Sequence, residues 1–265
     1  MDYEKIINDQ DHSHWFAYTP MDMQYVRYSD NNPSIIAAGH KISDVYSGFC
    51  NARSSFINAG RNNFGDLYDE DELSKKYGKS HFLITAILEY AICLDLSWQV
   101  VWSYIQPSSF EYLVKCKYEE MEKECTRENV HSQLDCIISQ NGFGVSQAQK
   151  LKQLLTDFDN DADVIKLRSL YNLLKHRGTI HFEGLGAQND TMMMGVSNRT
   201  IPILSKKTFH IEEIEDLLFD YHNKFKLYFE SLIKEIMPED YFESKVGFVD
   251  YLNTVLQMDS TVNNK

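Results

Sequence analysis

The chain has 265 residues, of which 43% are hydrophobic and 25% charged, and its formal net charge is −13. That length supports a sizeable core in one large domain or two small ones, and an aromatic share of 13% excludes disorder over most of it. The acidic balance excludes a broad electrostatic grip on nucleic acid, which needs clustered Lys and Arg, but leaves room for a small local basic site or a cationic protein partner.

The N-terminal stretch MDYEKIINDQDHSHW has no basic segment followed by an apolar one. No signal peptide is expected, and a cytoplasmic location follows. The five cysteines, Cys50, Cys93, Cys116, Cys125 and Cys136, contain no CxxC pair and read as reduced, partly buried thiols. Residues 1–33 show no clear period and read as an irregular arm pinned by Trp15, Phe16 and Tyr18, with His12 and His14 on the surface. Pro33 and Ser34 open a helical pattern in which Ile35, Ile36, Val45, Phe49, Phe56 and Ile57 recur to about Phe64. The acidic run Asp66–Glu72 reads as a loop and helix cap.

Residues 80–105 are apolar nearly all round, the pattern of a helix buried at the centre of a bundle. Their uninterrupted apolar runs fall short of the roughly 20 residues that span a bilayer, so no membrane is expected. Trp98 and Trp102 lie one turn apart and read as a core ladder. Pro107 ends this helix, and Ser108, Ser109 and Glu111 read as the cap of the next, over 109–126. Two shorter helices follow over 128–140 and 146–157, separated by the turn NGFG.

Asp157, Asp159, Asp161 and Asp163 alternate like the opening of a calcium loop. Such a loop needs Gly at position six and Glu at position twelve, where this chain has Ala162 and Arg168. Asp161 and Asp163 therefore read as a helix N-cap, and neither metal nor cofactor is expected. The glycine-bearing stretch after His181 reads as a β-hairpin near 190–205. Helix returns from about His210, Pro238 separates a last helix over 239–257, and residues 258–265 read as a frayed tail. The expected fold is all-α: a multi-helix antiparallel bundle forming a single domain over 34–257, with that small hairpin inserted.

The segment RSLYNLLKHRGTIH, Arg168 to His181, is out of character in so acidic a chain. On a helix over 161–181, Leu167, Leu170, Tyr171 and Leu174 form a buried stripe, and its extension reaches Arg177 and His181. Arg168, Asn172 and His176 form a second stripe at i, i+4 and i+8, with Lys175 beside it. Buried cations need partners, so these groups either pair with carboxylates, offset the dipole at a helix C-terminus, or line an anion site. Gly178 is where the first stripe would break. No Gly-rich phosphate loop, HExxH or GxSxG occurs.

An arginine or polar residue followed within about one and a half turns by histidine, late in a helical bundle, resembles the HEPN superfamily. The family spaces its Arg and His by four to six residues. Arg177 and His181 are separated by three, while the Lys175–His176 step to His181 has the family spacing with Lys in place of Arg. The resemblance implies an all-α, often dimeric protein, and metal-independent ribonuclease activity or RNA or nucleotide binding in a bacterial stress or defence system. It implies His181 as general acid or base, Arg177 and Lys175 as holders of the scissile phosphate, and Asn172, His176 and Arg168 as binding or orienting residues. A non-catalytic helical module that binds a protein partner is the competing reading.

Overall fold

The computed structural model describes residues 3–29, 31–106, 113–140, 142, 144–186, 193–196, 199–202, 207–243 and isolated positions from 247 to 256. It is all-α with small strand pairs, as expected. The helices are α1 (Tyr3–Asn8), α2 (Asp22–Tyr28), α3 (Pro33–Ala59), α4 (Glu72–Ile105), α5 (Lys115–Lys123), α6 (Arg127–Ser139), α7 (Val145–Asp159), α8 (Ala162–His176) and α9 (Ile211–Ile236). Short 3₁₀ segments cover Asp11–Tyr18 and Gly65–Leu67. Strands β2 (Met193–Val196) and β3 (Arg199–Pro202) pair antiparallel, Met193 opposite Pro202 and Val196 opposite Arg199, which places the expected hairpin. Strands β1 (His181–Phe182) and β4 (Thr208–Phe209) pair in parallel. The expected cap at Ser108, Ser109 and Glu111 lies outside the described residues; within the expected last helix over 239–257, residues 239–242 are turn and 249, 251–253 and 256 are helical.

The chain packs as two compact units, and α3, α4 and α9 each contribute residues to both. The first comprises 1–10, 48–92 and 159–225. Its centre is a run of rings: Phe49 stacks on Phe225 with centroids 5.6 Å apart, and Tyr90 meets Tyr221 edge-on at 5.5 Å. His222 is fully buried among them and stacks on Phe49 at 4.8 Å. Its Nε2 lies 3.3 Å from Asp9 Oδ2 and its Nδ1 2.7 Å from the Tyr90 hydroxyl. A carboxylate only accepts, so Nε2 carries a hydrogen, and in the neutral ring Nδ1 accepts from Tyr90. The N-terminal segment is part of this core. Arg53 donates to the carbonyls of Ile6 and Ile7 at 3.0 and 2.7 Å, closing the C-terminal end of α1. The Tyr3 hydroxyl donates to the buried Glu215, which also pairs with Lys79 at 2.5 Å. Gly60 ends α3 against the Tyr3 ring, where a Cβ would come within 2.5 Å of it.

The second unit comprises 11–47, 93–158 and 226–265. Trp15 is fully buried edge-on to Phe229 at 4.7 Å and donates its indole N–H to Glu230 at 2.5 Å. Phe158 and Tyr228 stack at 4.1 Å, and the Tyr228 hydroxyl bonds Ser97 at 3.0 Å. Trp98 and Trp102 are buried as expected, and Trp102 donates to the Met121 carbonyl at 2.8 Å. Thr126 caps α6 by accepting from the Asn129 amide at 3.1 Å.

Three expectations change. Residues 1–33, expected irregular, hold α1, a 3₁₀ segment and α2, because their aromatic and acidic side chains find partners far along the chain. His12 is buried against Trp15 and Tyr46, and only His14 is exposed, facing Glu230 at 3.1 Å. Among the described residues α4 alone is long and apolar enough to cross a membrane. The sequence reading missed this because Glu89 and Asp95 interrupt its apolar run. Just over half of that apolar stretch, 56%, is buried inside the protein. Cys50, Cys93, Cys125 and Cys136 are not joined in disulfides.

Replacing Tyr90 with Phe removes a hydrogen-bond partner from a fully buried imidazole, and Tyr90→Phe is expected to lower unfolding free energy by about 1–3 kcal/mol. Phe49→Ala, which also opens a cavity, is expected to cost more, about 3–5 kcal/mol. Urea unfolding of the two variants measures the order, and a smaller loss for Phe49→Ala would contradict this account of the core.

Candidate functional site

Helix α8 is set at its N-terminus by charge. Asp161 is the N-cap and accepts from the Asp163 amide at 2.9 Å. Lys224, on α9, donates to both Asp161 oxygens at 2.9 and 2.8 Å and to Asp163 at 2.7 Å. Burial acts to raise the Asp161 carboxyl, but the bonds from Lys224 and the Asp163 amide outweigh it and hold the group below the ordinary carboxylate range. The same bonds hold Lys224 above its ordinary value. The alternating aspartates are thus structural: Asp159 pairs with Arg168, Asp161 and Asp163 with Lys224, and Asp157 accepts from Gln153. Among the described residues no cluster of three or more His, Cys, Asp or Glu could hold a metal.

Val164, Leu167 and Leu170 are the buried face of α8, while Tyr171 and Leu174 are half-buried. Past His176 the helical face does not continue. Arg177 is the C-cap, with φ −128° and ψ −22°, and both its amide and that of Gly178 donate to the Leu173 carbonyl, at 2.9 and 3.0 Å. Gly178 has φ +154°, a conformation side-chain-bearing residues rarely adopt. The chain then extends into β1. Ile180 and Phe182 are buried and His181, between them, points to the opposite side, half-buried and opposite Thr208. The expected Arg177–His181 continuation of the core stripe is therefore corrected: the glycine ends the helix and places His181 on a strand.

The second stripe stays within α8. Arg168 is held by an ion pair to the buried Asp159, Nη1 to Oδ1 at 3.6 Å. Asn172 and His176 follow on the same face and are exposed. Lys175 is exposed with its ammonium 5.6 Å from the centre of the Tyr171 ring, and Arg177 is exposed beside it. Among the described residues, no ion pair to a carboxylate is formed by Lys175, His176 or Arg177. This end of the helix therefore presents contiguous cationic and imidazole groups to solvent, where the helix dipole favours positive charge and solvation makes it inexpensive. Nothing here desolvates a reacting group; the arrangement suits contact with an anion.

A concave site that sequence reasoning missed lies in the second unit. Tyr25, Ala37, His40, Ser43, Asp44, Leu113 and Tyr118 line a cleft of about 410 Å³. His40 Nε2 and the Tyr25 hydroxyl are 2.7 Å apart. His40 is exposed at the cleft rim, yet partial desolvation holds the imidazole below its ordinary value, with Asp44 opposing and Lys41 reinforcing that shift. The available signal was His40, Ser43 and Asp44 at i, i+3 and i+4, a polar patch on an otherwise apolar helix. The chain matches no protein-family profile, no curated protein and no solved structure.

Because the Asp161 carboxyl titrates lower when folded than when unfolded, its stabilisation is complete above about pH 5 and is lost as pH falls through the folded value. Lys224 is shifted up, so its share persists below about pH 10 and is lost on further alkalinisation. Asp161→Ala is expected to cost about 1 kcal/mol through the lost cap and to flatten the acid limb of a Tm-against-pH curve below about pH 5. An acid limb as steep as wild type would show that this carboxylate does not carry it.

Proposed function

We propose that this chain is a HEPN-like, cytoplasmic RNA-binding protein whose contact surface is the C-terminal end of α8. The observation that supports this most is the exposed run Lys175, His176 and Arg177, not paired with carboxylates among the described residues, in a chain of net charge −13. Solvent-facing Lys and Arg near a helix terminus are suited to phosphate oxygens, Arg by its planar fork and Lys as a point charge. Arg168, restrained by Asp159, and Asn172 extend the surface along one face with positions for a second phosphate and a ribose hydroxyl or base edge. A homodimer would double the local positive potential and offset the acidic remainder of the chain.

Metal-independent RNA cleavage is a second reading, favoured by Asn172 and His176 standing one turn apart on a regular helix. His176 would take the proton of a ribose 2′-hydroxyl as that oxygen attacks phosphorus, and the 5′-oxygen would leave with a proton from solvent water, giving a 2′,3′-cyclic phosphate and a 5′-hydroxyl. In this reading His176, not His181, is the acid–base group.

Fluorescence anisotropy with a labelled 20-nucleotide single-stranded RNA in EDTA at low salt is the test. Binding is expected to weaken as salt rises, with a shallow slope set by a few phosphate contacts, and to drop about tenfold or more in the double variant K175E/R177E. Wild-type protein that leaves the RNA free, or a double variant that binds like wild type, would end the RNA reading. A denaturing gel of the same samples reports cleavage, and His176→Ala is expected to abolish any that wild type shows, with Tm unchanged.

A further inference from the structure

The cleft in the second unit carries a chemistry the α8 surface does not. Its lining combines two phenol rings, Tyr25 and Tyr118, with one solvent-accessible carboxylate, Asp44. Lys41, almost fully buried behind this lining, organises it. Its ammonium bonds Asp44 Oδ2 at 3.1 Å, pairs with Glu122, and lies 5.6 Å from the centre of the Tyr118 ring. Three groups are fixed by one cation, so the lining is ordered without a ligand.

The charges do not cancel. Lys41 supplies one positive charge against the two carboxylates Asp44 and Glu122. His40 adds none near neutral pH, since burial favours its uncharged form. Burial likewise keeps the nearby Cys125 thiol protonated, pushing it up to about 12, with Asp95 and Glu122 acting in the same direction and Lys41 against. One negative charge among these described groups is left uncompensated, and Lys41, the one described cation among them, is committed to carboxylates. A cavity of about 410 Å³ lies within the usual range for small-molecule sites. Aromatic faces with a neighbouring carboxylate attract organic cations.

We propose that this cleft is a binding site for a small organic ammonium ion, with Asp44 as its counter-ion and the Tyr25 and Tyr118 rings as its walls. Ala37 and Leu113 give the ligand's carbon skeleton an apolar surface, and Asp44 Oδ1, which makes no hydrogen bond to a described residue, receives the N–H. An anionic ligand would face Asp44 with no open cation among the described lining residues to offset it. The site lies in a different compact unit from α8, and the proposal stands independently of RNA binding.

Isothermal titration of the full chain with phenethylammonium, phenethyl alcohol and phenylacetate tests ligand charge with the skeleton nearly constant. Phenethylammonium is expected to bind with a Kd of about 1 mM or tighter, and the other two at least about tenfold more weakly. Asp44→Asn is expected to erase that preference, weakening the amine about tenfold or more while leaving the alcohol unchanged. It should fold, because Lys41 keeps Glu122, and circular dichroism checks this. Ser43→Phe, which fills the cleft, is expected to abolish binding of all three. Equal binding of the three ligands by wild type, no binding of the amine, or an undiminished amine affinity in folded Asp44→Asn would each overturn the proposal. The wild-type ligand series decides the matter even if a variant fails to fold.

Discussion

A fully buried imidazole is the constraint around which the first unit is organised. His222 cannot reach water, so each ring nitrogen must find a partner inside the protein, and each partner must come from a different part of the chain. Asp9 supplies the acceptor and Tyr90 the donor, while Phe49 covers the ring face. The register of α4 against α9, the angle at which α3 packs, and the docking of the segment after α1 must all agree for that set to close. An apolar residue at this position would leave those alignments to shape alone; a ring with two directional bonds narrows them.

The same economy governs the polar features at the surface. The aspartates before α8 could have been a metal site, and they are instead divided between Arg168 and Lys224. That division fixes where α8 starts, and Gly178 fixes where it stops. What is left over between those limits is a short exposed run of positive charge. In the second unit the corresponding remainder is negative: Lys41 is shared between two carboxylates, and one of them faces a cleft. In both places the functional reading concerns what pairing leaves uncompensated.

Much of this was legible in the chain itself. The long helices announced themselves through apolar spacing and through Pro33 at a first turn, because burial of one face dictates residue choice every three to four positions. The paired short runs around residue 195 marked a hairpin. The N-terminal helices were not legible, since a six-residue helix such as α1 has no room for a period and is stabilised by Arg53 and Glu215, residues remote in sequence. The placement of His181 differs from the helical expectation for a related reason: helical phase does not carry through a glycine whose backbone angle only the fold determines. The cleft stayed hidden because Tyr25, Asp44 and Tyr118 come together only through tertiary packing.

The docking of the first few residues has a consequence for biosynthesis. Tyr3 and Asp9 find their partners 212 and 213 positions later, at Glu215 and His222. On a ribosome those partners emerge only after the whole intervening stretch has been made. Until then Tyr3 and Asp9 lack their partners, and Phe49 and Tyr90 wait with one side of their packing missing. Contacts this distant in sequence are slow to close, and aromatic surface left uncovered in that interval is prone to aggregation.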